Sequence, residues 1–251
     1  PAPASVEALD DWRAHALDSL LVAAQVSATA SPPVRLVVIT QGAVATGDIT
    51  PLSMPQATLW GLGRTMALEH PEAWGGLVDL PAGERIDDAD LAAAIAVVRA
   101  PSDEDQIAVR VGQIHSARLV RRDAPRPRPF VAAADATYLV TGGMGALGLQ
   151  VARWLVDRGA RRLVLVGRQE RNEAAVDDLR RLGVTIDVLT ADVADVRDVD
   201  ELLVRACADA APLRGIVHAA GVDVQRPLLD VTPADLDAAL SAKMAGAWLL
   251  H

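Results

Sequence analysis

The sequence predicts an α/β protein of two doubly wound halves, the first a degenerate copy of the second. Three observations predict it. Short apolar runs alternate with stretches of helical periodicity, as a parallel sheet covered on both faces requires. Residues Thr141 to Gly148, TGGMGALG, form a glycine-rich turn between an apolar run and an amphipathic stretch. The string Ala124-Pro125-Arg126-Pro127-Arg128-Pro129 divides the chain, because alternating prolines exclude a helix or a central strand and read as an extended, semi-rigid connector.

In the second half, the strand Tyr138-Leu139-Val140 enters the glycine turn. The helix after the turn places Leu147, Val151, Trp154 and Leu155 on one stripe at spacings i, i+4, i+7 and i+8. A strand at Leu163–Val166, a helix carrying Val176 and Leu179, and a strand at Ile186–Leu189 come next. A helix with Val199, Leu202 and Leu203 leads to a fourth strand ending at Ile216-Val217. Right-handed crossovers turn this order into a doubly wound, Rossmann-like sheet. In the first half, Val34 to Ile39 reads as a buried strand running into Thr40-Gln41-Gly42-Ala43-Val44, the counterpart of Leu139 to Gly143. Gly42 and Gly47 lack the G-x-G-x-x-G spacing, so the backbone there cannot approach a pyrophosphate closely. Gln106 to Val111 reads as a late alternating strand pairing near the junction. The expected division is 1–129, structural and without cofactor, and 130–251, nucleotide-binding and incomplete at its C-terminal end.

The 251 residues suffice for one large or two smaller cores, and 51% are apolar. No apolar run approaches a membrane span and no secretory signal opens the chain, so a soluble, cytoplasmic protein is expected. The net charge of −9 argues against a nucleic-acid partner. A single cysteine, Cys207, excludes an intrachain disulfide and a cysteine-built metal site, and no metal is expected. Its apolar neighbours Leu202, Leu203 and Ala206 suggest a buried helical thiol. Of the 24 lysines and arginines only Lys243 is a lysine, which leaves 23 arginines. Lysine can give up its proton where arginine cannot.

The chemistry concentrates in the second half. Gly142 and Gly143 permit a tight turn, Gly145 lets a diphosphate lie against the chain, and Gly148 lets the helix pack closely. The helix N-terminus then offers free N–H groups to phosphate. Arg168 stands twenty residues past Gly148, after Gly167 at the tip of the next strand. An acid at that tip would bind the ribose 2′-hydroxyl of NAD; a guanidinium suits the 2′-phosphate of NADP(H). Asp192, after the third strand, either accepts from an adenine amino group or caps the following helix. His218-Ala219-Ala220-Gly221 ends the fourth strand in small residues that admit the nicotinamide end, and His218 reads as structural. Thr232-Pro233-Ala234-Asp235 starts a helix on which Leu236, Leu240, Lys243, Ala247 and Leu250 share a face. A lysine on an apolar stripe is costly unless paired, useful or snorkelling to water.

TGGMGALG, LVLVGR, TADVAD, HAAG and AKMAGAWLLH, in this order, resemble the ketoreductase domains of modular type I polyketide synthases, in the short-chain dehydrogenase/reductase superfamily. VRLVVITQGAV, LWGLGRTMALEHPEAWGGLVDLP and QIAVRVGQIHSARLVR resemble that family's structural subdomain. The resemblance implies NADPH-dependent reduction of a β-ketoacyl thioester, carried on an acyl carrier protein among neighbouring synthase domains. Thr141, Gly142, Gly143, Gly145, Ala146, Leu147 and Gly148 would hold the diphosphate, and Gly167 with Arg168 the 2′-phosphate end. Asp192 and Val193 would contact adenine, with Ala219, Ala220 and Gly221 beside the ribose and nicotinamide. Lys243 takes the family's catalytic lysine position, where it would bind the nicotinamide ribose and lower the pKa of a tyrosine proton donor. The family's serine and tyrosine come after that lysine, and the sequence stops at His251 before reaching them; Tyr138, in the first strand, does not take the role. These residues alone are therefore expected to reduce nothing efficiently. A catalytically inactive, ketoreductase-like scaffold is the alternative. The segment after HAAG, Gly221 to Arg226, lacks the Leu-Asp-Asp of one stereochemical class, which points to the other, A-type class.

Overall fold

The protein, seen as a computed structural model, is described for residues 5–47, 52–100, 103–121, 129–208 and 211–251. The expected connector at 124–128 lies outside the described residues, apart from its last proline, Pro129. Two compact units emerge, Pro1–Arg122 with Arg226–Pro233, and Asp123–Gln225 with Ala234–His251.

The first unit runs α1 (Val6–Trp12), a π-helical turn (Arg13–Leu17), α2 (Asp18–Thr29), β1 (Leu36–Gln41), α3 (Met54–Glu69) and β2 (Trp74–Leu80). It continues with α4 (Asp88–Arg99), β3 (Gln106–Arg110) and β4 (Gln113–Ser116). The sheet order is β1-β2-β3-β4, parallel except for the last pair. Helices cover both faces. Gly63 brings α3 so close to β2 that a Cβ there would stand 2.8 Å from Trp74 and 2.9 Å from Leu77. On the other face Ala94 of α4 packs with Val78, Leu80, Ile107 and Val109. The alternation expected over 106–111 is not found: Ile107, Ala108 and Val109 are all buried, because β3 lies between two strands rather than at an edge. Ile39, expected to be buried, is 55% exposed because β1 is the edge strand.

Residues Arg226–Pro233 join this unit although they come after the second sheet in sequence. Gln25 Nε2 donates to the carbonyls of Leu228 (3.0 Å) and Val231 (2.8 Å). The Leu228 N–H donates to Glu69 at 2.6 Å, and its side chain is buried.

The second unit runs β5 (Thr137–Thr141), α5 (Ala146–Asp157), β6 (Arg162–Gly167), α6 (Glu173–Arg180), β7 (Thr185–Thr190), α7 (Val196–Ala206) and β8 (Leu213–His218). Then come α8 (Pro233–Leu240), a π-helical stretch (Ser241–Gly246) and α9 (Ala247–Leu250). All four strands are parallel in the order β7-β6-β5-β8. Successive strand residues point to opposite faces and feed two cores. Tyr138, Val140, Leu163 and Leu165 pack with Leu155, Val176 and Leu179 of α5 and α6. Leu139, Val164 and Val166 pack with Val199 and Leu202 of α7.

Two expectations fail here. The buried stripe of α5 is Gly148, Ala152, Leu155 and Val156, whereas Leu147 and Trp154 are exposed. The glycine turn delivers the helix with Gly148 facing inward, and this rotates Leu147 out. Trp154 instead stacks on Phe130, centroids 5.0 Å apart. Cys207 is exposed rather than buried, because α7 ends at Ala206 and the thiol leaves with the cap residue. Among the described residues, no helix is long and apolar enough to cross a membrane.

Candidate functional site

The chain goes from β5 outward to β7, then returns to place β8 on the other side of β5. Such a reversal opens a crevice beyond the carboxyl ends of the strands. A cleft of about 210 Å³ lies there, lined by the glycine turn, the β6 tip, the segment after β7 and the end of β8.

The turn is built by exclusion of side chains. Gly142 sits at φ +63, where a Cβ would also fall 2.6 Å from the Ala219 carbonyl. A Cβ on Gly148 would lie 2.1 Å from the Gly142 carbonyl, so α5 packs against the turn itself. Gly143 donates to Val166 O at 3.0 Å, which ties the turn to β6. No side chain caps α5, whereas the Asp195 carboxylate accepts from the N–H groups of Arg197 and Asp198 at the start of α7. The first N–H groups of a helix have no intrahelical acceptor, so the N-terminus of α5 presents its donors and partial positive charge toward the turn.

Of the residues expected to hold a dinucleotide, Gly142, Gly145, Gly167, Arg168, Asp192, Val193, Ala219, Ala220 and Gly221 line the cleft. Thr141, Gly143 and Gly148 are buried behind it, and Ala146 and Leu147 are exposed on the first turn of α5. Arg168 is exposed and, among the described residues, makes no hydrogen bond or ion pair. Thr141 shapes the neighbouring strand end: its hydroxyl oxygen accepts from the N–H groups of Ala219 and Ala220, both at 3.2 Å, and lies 2.7 Å from His218 Nδ1. His218 Nε2 donates to the Ala242 carbonyl at 2.8 Å, so Nδ1 accepts the Thr141 hydroxyl proton and both ring nitrogens are engaged.

The capping alternative for Asp192 fails. Its Oδ1 accepts from Ala194 N at 3.0 Å, and the cap of α7 is Asp195. Lys243 is exposed rather than set on an apolar stripe with Leu236, Leu240, Ala247 and Leu250. The π-helical stretch from Ser241 to Gly246 puts an extra residue in the turn, which rotates the later residues by about 100° and buries Ala245 and Gly246 instead. The Lys243 stem still lies at the cleft end, since a Cβ on Gly221 would stand 3.1 Å from its Cε.

Sequence reasoning missed Met144, Gln169, Arg171, Ser241 and Ala242, which also line the cleft. A second arginine in the loop after Gly167 was a visible signal for Arg171. Ser241 and Ala242 had none, because the π-helical stretch that brings them in has no local sequence pattern.

A reversed parallel sheet with an open glycine turn and small-residue strand ends defines a dinucleotide-binding α/β protein. Comparison with known proteins narrows this. Residues 136–251 match the KR domain family, and residues 2–119 match the family described as polyketide synthase extender module SpnB, Rossmann fold domain. The chain is 44% identical over 240 residues to polyketide synthase GfsA of Streptomyces halstedii, covering 92% of this chain and 3% of that protein. It is 42% identical over 219 residues to the pikromycin polyketide synthase component PikAIII of Streptomyces venezuelae, covering 84% of this chain and 14% of that protein. A solved C2-type ketoreductase from a modular polyketide synthase superposes with a TM-score of 0.83 at 34% identity, covering 93% of this chain and 51% of that one. A solved A-type ketoreductase from a modular polyketide synthase gives 0.83 at 36% identity, covering 92% and 50%. The chain belongs to the ketoreductase domains of modular type I polyketide synthases. It spans about half the length of those solved ketoreductase chains and a small part of the synthases. Ketoreductase domains of this family are NAD(P)-dependent oxidoreductases.

Proposed function

We propose that this chain takes part in the NADPH-dependent reduction of an acyl-carrier-protein-bound β-ketoacyl thioester to the β-hydroxyacyl thioester, within a synthase and beside its other domains. Residues 1–129, joined by Arg226–Pro233, serve as the structural subdomain, and the rest of 130–251 holds the cofactor. The observation that carries the reading is Arg168, unengaged among the described residues at the tip of β6 and lining the same cleft as Gly142 and Gly145.

The residues present fit the dinucleotide. Gly142 and Gly145 line the cleft without side chains beside the uncapped start of α5, whose free N–H groups would take the diphosphate. Arg168, beside Gly167, offers the 2′-phosphate a bidentate guanidinium. Asp192 and Val193 border the adenine end; Ala219, Ala220 and Gly221 leave room for ribose and nicotinamide. Bound NADPH supplies the hydride. Lys243, its stem over Gly221, holds the nicotinamide ribose and contributes the positive charge that favours proton delivery to the substrate oxygen.

Calorimetric titration with NADPH and NADH tests the cofactor. Arg168→Ala should weaken NADPH by about 10- to 100-fold, the worth of charge-assisted hydrogen bonds, and leave NADH unchanged. Equal affinity of the unsubstituted chain for both cofactors would overturn the reading. In the full-length protein, a β-ketoacyl thioester should drive NADPH consumption and Lys243→Ala should slow it steeply. No consumption there would make the chain a scaffold.

A further inference from the structure

We propose that Arg171 is a second guanidinium for the 2′-phosphate, and that Asn172 is the positioning residue that aims it. This rests on the NADPH reading above and extends it to residues that no motif marks. Arg171 lines the cleft together with Arg168 and Gly145. Its Nη2 donates to Gln169 Oε1 at 2.7 Å, and no other hydrogen bond or ion pair engages it among the described residues. Gln169, on the cleft wall, thus holds one edge of the guanidinium and leaves the other edge open. Glu170 and Glu173 line the neighbouring groove, which Arg171 also borders, and neither lines the cleft.

Asn172 explains how the loop keeps this shape. It occupies the left-handed region at φ 56, ψ 38, which asparagine tolerates better than most residues. Its Nδ2 donates to the Met144 carbonyl at 2.8 Å. Met144 belongs to the glycine turn, and its side chain underlies the β6 tip, since a Cβ on Gly167 would meet Met144 Cε at 2.9 Å. The loop bearing both arginines is therefore anchored to the turn that would hold the diphosphate. A phosphate monoester carries nearly two charges near neutral pH and three acceptor oxygens. One bidentate guanidinium satisfies two of those oxygens, and a second cation answers the remainder.

The test is the ratio of NADPH to NADH affinity, measured by calorimetry on the chain. Arg171→Ala should lower NADPH affinity about tenfold, one charge-assisted contact, with NADH moving less than about twofold. Arg171→Lys should recover part of the preference, because charge returns without the fork. Asn172→Ala should lower the ratio by a smaller factor, and Asn172→Asp likewise, since a carboxylate cannot donate to the Met144 carbonyl. An Arg171→Ala variant that weakens both cofactors equally, or leaves NADPH unchanged, overturns the proposal. Failure of the underlying reading looks different: the unsubstituted chain would show no preference for NADPH, or Arg168→Ala would leave that preference intact.

Discussion

The turn after β1 and the turn after β5 begin alike and end differently. Gly42 and Gly142 both sit in the left-handed region, at φ +68 and +63. Both turns are tied to the neighbouring strand, through Gly42 N to Leu80 O at 2.9 Å and Gly143 N to Val166 O at 3.0 Å. After β5, α5 starts at Ala146 with no side-chain cap. After β1, α3 starts only at Met54, and the donors of the turn already have an acceptor. Asp79, buried on β2, accepts from Ala43 N at 2.8 Å, from Val44 N at 3.3 Å and from the Thr40 hydroxyl at 2.6 Å. Arg110 balances its charge at 2.6 Å, and Trp60 donates to Thr40 at 2.9 Å. A protein carboxylate therefore takes the backbone donors of the first turn. The lesson is that an anion-binding turn is defined as much by who already occupies its donors as by its glycines.

The sharpest way to break the comparison is Asp79→Ala. It would remove the carboxylate that pairs with Arg110, which keeps only carbonyl acceptors, and leave the Ala43 and Val44 N–H groups without theirs; breaking a buried pair costs about 3–5 kcal/mol. A lowered denaturant midpoint for the first unit is expected, without new affinity for NADPH. If the variant instead gained a second NADPH site, Asp79 alone was excluding the ligand. Next comes Gly148→Ala, whose Cβ would fall 2.1 Å from the Gly142 carbonyl. Overpacking costs about 1–3 kcal/mol, so NADPH affinity should drop roughly 10- to 100-fold; unchanged calorimetric affinity would show that the turn can open. The smallest effect belongs to Asp195→Ala. Losing the α7 cap should lower stability by about 1 kcal/mol in urea unfolding and leave NADPH affinity alone. A change in affinity there would mean that α7, and not only α5, faces the ligand.

Much of this was legible in the chain. The strands of the second unit announce themselves because buried parallel strands are short and apolar, and the glycine turn because only glycine allows its contacts. Arg168 is found from its distance to that turn. The stripe on α5 was not legible, since periodicity names a face but not which face the turn points inward. Cys207 was misjudged because its neighbours are buried on a helix that stops one residue before it. Lys243 was given an apolar face by a 3.6-residue repeat that the π-helical stretch interrupts.

The sequence by itself determined the glycine turn, the arginine at the β6 tip and the lack of a matching turn in the first half. Each depends on the local conformational rules of a few consecutive residues. Only the tertiary structure decided what the donors of the two turns meet. Asp79 lies 36 residues from Ala43, Asn172 lies 28 from Met144, and Leu228 reaches Gln25 across 203. Those pairings arise where packed sheets bring distant side chains within hydrogen-bonding reach, and no spacing along the chain encodes them.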